Sequence, residues 1–184
     1  DCHWTAANAD KRAIGNGEGS GQSDLVPPMG GSDTIPMTLE PRQRFFEHDG
    51  LRLGYWEWGD PREETYVFVH GVRDQGRSWD HFLEALLRRG VPIKHAVSLD
   101  LRGHGDSEWP SSSRGYQHED FLTDLAGLLK HLDKEPSTII GHSLGGSMCL
   151  LYAGAFPDKV KRLVLLESLG PFARSDDEVP NIIA

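Results

Sequence analysis

Gly141-His142-Ser143-Leu144-Gly145-Gly146 lies between the apolar run Ser137-Thr138-Ile139-Ile140 and a helical pattern from Leu144 to Phe156. The run reads as a short buried strand, so the hexapeptide occupies a strand-to-helix corner. It matches G-x-S-x-G, the pattern of a nucleophile elbow, in which a serine hydroxyl is held out on a sharp turn. The glycines have a steric reason. The corner puts Ser143 in an unfavourable backbone dihedral, and side chains at 141 and 145 would collide with neighbouring backbone. A strand before and a helix after give the pattern the context that its chemistry needs.

The rest of the chain from Phe45 onward alternates in the same way. Phe45 to His48 and Leu51 to Trp58 flank Asp49-Gly50, a hairpin signal. Thr65 to Val69 reads as a buried strand. Trp79, Phe82, Leu83, Leu86 and Leu87 follow at helical spacing. Ala96 to Leu99 is the next expected strand. Phe121, Leu122, Leu125, Leu128, Leu129 and Leu132 line a second helix, and Leu163 to Leu166 is the last expected strand. Alternation after an opening hairpin implies an α/β fold with a mostly parallel sheet and helices on both faces. Residues 1–40 differ: Gly15 to Gly31 is rich in Gly and Ser, with Pro27-Pro28. A segment so poor in apolar surface is expected to be disordered, which leaves 41–184 as the folded part.

Composition narrows the function. The chain has 184 residues, of which 38% are hydrophobic and 26% charged, as in ordinary soluble domains. Its net charge of -9 argues against nucleic acid or an anionic membrane as partner and suits a small neutral substrate. No run reaches transmembrane length, and the first residues carry no secretory leader pattern. Cys2 and Cys149 are the only cysteines, one in the tail and one on the apolar elbow helix. No disulfide is expected, and a cytoplasmic setting is the default.

A serine hydroxyl needs a base, an acid that orients the base, and donors for the oxyanion. One donor is the amide after the nucleophile, Leu144 N–H. The second belongs to the loop after the third strand, His70-Gly71-Val72-Arg73, where Val72 N–H is the candidate. Together, His70-Gly71, the segment Asp100-Leu101-Arg102-Gly103-His104-Gly105-Asp106-Ser107 and the elbow resemble the α/β-hydrolase fold superfamily. The resemblance covers Phe45 to about Gly170. It implies an α/β-hydrolase sheet, an enzyme that cleaves carboxylic esters or related acyl bonds through Ser143, and no metal or organic cofactor. It also implies that the loop around His104 and Asp106 is architectural.

In that superfamily the triad runs serine, acid, histidine along the chain, and none of the nine histidines follows Ser143. His142 is expected to point away from the hydroxyl, and His70 to lie on the oxyanion side. His81, His118 and His131 fall on helices and are expected at the surface. The missing histidine implies a C-terminally truncated domain. Glu167, twenty-four residues after Ser143, stands where haloalkane dehalogenases carry an acid and is the candidate triad acid. Dehalogenases and epoxide hydrolases use Asp in place of Ser143, which disfavours their activities. The alternative is a degenerate, non-catalytic ligand-binding protein of the same fold.

Overall fold

The computed structural model describes residues 40–168. The expected disordered tail, apart from residue 40, and the expected turn at Gly170-Pro171 lie outside the described residues. The elements are β1 (Arg42–His48), β2 (Leu51–Gly59), β3 (Thr65–Val69), α1 (Asp80–Arg88), β4 (His95–Leu99), α2 (His118–Leu132), β5 (Ser137–His142), α3 (Leu144–Ala155) and β6 (Val160–Leu166). They form a six-stranded sheet of order β1-β2-β4-β3-β5-β6. β1 and β2 are antiparallel to each other, and β2 is antiparallel to β4. All other pairs are parallel. Asp49 and Gly50 both have positive φ, 49° and 73°, as a tight hairpin turn between right-twisted strands requires.

Period-two alternation divides the strand side chains between two cores. Val67, Val69, Val97, Leu99 and Ile139 pack under α2 and α3 with Leu125, Leu128, Met148 and Tyr152. Phe68, Ala96 and Ile140 point to the other face and pack with Trp79 and Leu83 on the α1 side. The central strands are therefore apolar on both faces, as parallel strands covered by helices must be.

Strand order determines where a ligand can sit. β3 leads into α1 on one face, and its neighbour β5 leads into α3 on the other. The segments leaving the carboxyl ends of β3 and β5 thus diverge, and a crevice opens between them.

The boundaries differ from the periodicity in several places, among them the start of β1, which is Arg42 rather than Phe45. β6 begins at Val160 rather than Leu163, because Lys161 and Arg162 lie on exposed backbone and break the apolar run without breaking the strand. Trp79 belongs to a 3-10 turn, Gly76–Trp79, that precedes α1. α3 ends at Ala155, and Pro157 starts a short 3-10 turn. Among the described residues, no helix is long and apolar enough to cross a membrane.

Candidate active site

Ser143 stands between the last residue of β5 and the first of α3 with φ 50° and ψ −118°, a conformation disfavoured for any residue with a Cβ. The surrounding backbone over-determines it. Ser143 N–H donates to Leu166 O at 3.1 Å, and Ser143 O accepts from Ser147 N–H at 3.0 Å. A Cβ on Gly141 would come within 2.5 Å of Gly146 Cα, and one on Gly145 would run into the carbonyl oxygens of Val69 and His70. Both glycines thus have the steric duty that the sequence implied. Gly146 has one that the sequence did not reveal: Ser168 Oγ sits where its Cβ would be, donating to Leu166 O at 3.2 Å.

The loop after β3 closes on the elbow. Positioned as it is, a Cβ on Gly71 would stand 3.2 Å from Ser143 Cβ and 3.0 Å from His142 Nδ1. Val72, next along, is 59% exposed. Its N–H has no hydrogen-bond partner among the described residues. Leu144 N–H is the first amide of α3, one of those that helix geometry leaves without an internal acceptor. The structure therefore brings Ser143, Gly71-Val72 and Leu144 together at the mouth of the β3/β5 crevice.

Glu167 is placed less decisively. It follows β6 directly, at φ 47°, and is exposed. It makes no hydrogen bond or ion pair with any described residue. His142 lines an open cavity of about 190 Å3 with Asp74, Ser78, Trp79, Phe82 and Leu166, on the α1 side of the elbow.

The histidines nearest the elbow are already engaged. His70 is fully buried; its Nδ1 lies 2.7 Å from Gly71 O, and its Nε2 accepts from Leu101 N–H at 3.1 Å. Burial pushes its pKa down to about 4, so the ring is neutral at physiological pH. His104 Nδ1 lies 3.0 Å from Arg102 O, and its Nε2 accepts from Arg73 N–H at 3.2 Å. A general base needs a free lone pair facing the hydroxyl, and both rings have committed theirs to backbone. A third histidine mimics a triad at the wrong end of the sheet. His95 contacts Thr65 Oγ1 at 2.8 Å and Glu57 Oε1 at 3.3 Å, but all three are buried at the far ends of β2, β3 and β4.

Sequence reasoning missed the reach of Asp100. Buried at the end of β4, it accepts from Gly76 N–H at 2.6 Å and Asp106 N–H at 3.1 Å. Burial raises its pKa, and those two donors partly offset the rise. The resemblance marked only the loop around His104 and Asp106 as architectural. Asp100's partner Gly76 lies in another loop, with no sequence signal linking the two.

A family model described as the alpha/beta hydrolase fold matches residues 66–184. The chain belongs to the α/β-hydrolase fold family. This α/β-hydrolase chain is 32% identical over 136 residues to a non-heme chloroperoxidase of Kitasatospora aureofaciens, covering 72% of the chain and 46% of that protein. Two solved structures extend the likeness. A thioesterase domain from the curacin biosynthetic pathway superposes with a TM-score of 0.67 at 26% identity, over 78% of this chain and 52% of that one. Epoxide hydrolase A from Mycobacterium thermoresistibile gives a TM-score of 0.65 at 30% identity, over 78% and 44%. The α/β-hydrolase chain spans about half the length of the first of its curated relatives.

Proposed function

We propose that this protein is a serine hydrolase that cleaves a carboxylic ester or related acyl bond of a small molecule through an acyl-enzyme. The observation that carries this function is the strained Ser143, held at the crevice mouth between two amides without partners. Ser143 Oγ attacks the carbonyl carbon, and the developing oxyanion is met by Leu144 N–H and Val72 N–H. The tetrahedral species collapses, expelling the alcohol with a proton and leaving an acyl-serine. Water then attacks the acyl carbon and releases the acid.

A serine at position 143, where epoxide hydrolases carry Asp, favours acyl chemistry over epoxide opening, even though an epoxide hydrolase is among the structural neighbours. His70 and His104 have committed their lone pairs to backbone, so neither is the proposed proton acceptor. Glu167 is the proposed orienting acid. The likeness to a thioesterase domain supports acyl chemistry on this frame without choosing the acyl group.

A fluorophosphonate probe applied to the full-length protein is expected to label Ser143. Ser143→Ala is expected to abolish both labelling and p-nitrophenyl ester cleavage. Cleavage undiminished in Ser143→Ala would reject this function.

A further inference from the structure

Val72 N–H has to stand where the oxyanion forms, yet the Val72 side chain is mostly exposed and does not anchor its own peptide. The carbonyl of that peptide, Gly71 C=O, and the N–H of the next, Arg73 N–H, are anchored instead, each by an imidazole. Gly71 O can only accept and Leu101 N–H can only donate, so His70 carries its proton on Nδ1 and leaves Nε2 bare. Arg102 O and Arg73 N–H impose the same tautomer on His104. The two rings lie 5.2 Å apart, one against the entry to the loop and one against its exit.

In a trans peptide the carbonyl and the following N–H point in opposite directions. Tying Gly71 C=O to the His70 ring therefore turns Val72 N–H away from that ring. Arg73 has φ 62°, a left-handed conformation that a residue with a Cβ keeps only when something holds it. The bond from Arg73 N–H to His104 Nε2 is the hold that the structure supplies.

We infer that His104 is a positioning residue for the oxyanion site. Its bare Nε2 pins Arg73 N–H and, with His70, fixes the Gly71–Arg73 stretch so that Val72 N–H faces the reacting carbonyl oxygen. His104 itself touches no substrate. This role rests on Ser143 being the nucleophile. It gives a specific duty to the histidine of the Gly103-His104-Gly105 turn.

The test compares His104→Leu, which removes the acceptor, with His104→Gln, whose Oε1 restores one near the place of Nε2. Both are made in the full-length protein. The Leu variant is expected to lose about tenfold to a hundredfold in kcat at little changed KM, somewhat less than outright removal of an oxyanion donor costs. The Gln variant is expected to recover most of that loss. An unchanged kcat in His104→Leu, or a loss that Gln does not recover, would overturn the inference.

Amide hydrogen exchange read by NMR provides a readout that needs no turnover. Arg73 N–H should be protected in the wild type and in His104→Gln, and exchange faster in His104→Leu. Equal exchange in all three would overturn the inference whatever the activity. If His104→Leu does not fold, His104→Gln against wild type decides: full turnover with an unprotected Arg73 amide, or slower turnover with that amide still protected, rejects the role. A wild type left unlabelled by fluorophosphonate, with Arg73 protected, would reject the serine chemistry and with it the oxyanion role, while leaving the anchored loop established.

Discussion

Gly145 has no freedom to be anything else: a methyl group there would press into the carbonyls that end β3. Gly145→Ala is expected to lower stability by about 2–3 kcal/mol, the upper range for overpacking against backbone that cannot yield. A denaturant midpoint within error of wild type would show that the corner is looser than described. His70 makes a pH prediction with a definite sign. Its folded pKa is near 4 against an ordinary 6.5, so below 6.5 the unfolded chain takes up a proton that the folded chain refuses. Stability is therefore full above pH 6.5 and falls as the pH drops towards 4. The gap of about 2.5, at 1.36 kcal/mol per unit, amounts to about 3 kcal/mol. The charged and titratable groups that face the ring are His104, Asp74 and His142. His95, also pushed down by burial, acts in the same direction, and Asp100, pushed up by burial, acts in the opposite one. Unfolding free energies of wild type and His70→Gln at pH 7 and pH 5 isolate the term: the variant should lose less on acidification. At this scale the elbow was legible in sequence, because its rules are local sterics within six residues. The tautomers of His70 and His104 were not, because each is set by a backbone group thirty-one residues away.

The helices and strands repeat that contrast. α2 could be read from Phe121, Leu125, Leu128 and Leu129, whose spacing matches the buried face. The same face also buries Asp124, which no apolar pattern could announce. It takes a two-point grip from Arg102, with Nε at 2.6 Å from Oδ2 and Nη2 at 2.5 Å from Oδ1. That grip ties the segment after β4 to α2 in a place where neither charge reaches solvent. Arg102 Nη1 also lies 3.5 Å from Asp120 Oδ1 and donates to Gly115 O at 3.2 Å, so Asp124→Ala leaves the guanidinium partly paired and is expected to cost about 3 kcal/mol, the low end for breaking a buried pair. The double change Arg102→Met with Asp124→Leu is expected to recover much of it. Thermal melts of both variants check this, and a double variant no better than the single would show that the pair stabilises by more than charge neutrality. The start of β6 was hidden for the opposite reason. Lys161 and Arg162 pair with Glu64 at the surface, so their polarity masks strand backbone.

For the molecule as described, the mostly parallel sheet followed from alternation and its two-sided core from the apolar central strands, whereas the strand order did not, because pairing is set by contacts distant in sequence. Among the described residues β6 pairs on one side only, with β5. Val164 is 40% exposed and Leu165 38%, on opposite faces of the strand, with Leu150 and Phe156 exposed on and just after α3. An unpaired edge carrying apolar side chains on both faces invites association. The 184-residue chain is expected to self-associate at micromolar concentration, and Leu165→Lys to reduce this in light scattering. A monodisperse wild-type chain would reject the expectation. Asp100 has a consequence on the same scale. Its one carboxylate is shared by Gly76, in the turn that follows the oxyanion loop, and Asp106, in the loop after β4, while His104 reaches across to Arg73. Two stretches far apart in the gene are thus a single interlocking part. Anyone grafting an oxyanion loop from a related enzyme into this scaffold would have to transplant residues 70–79 and 100–107 as a matched set, since either half alone would arrive without its mate.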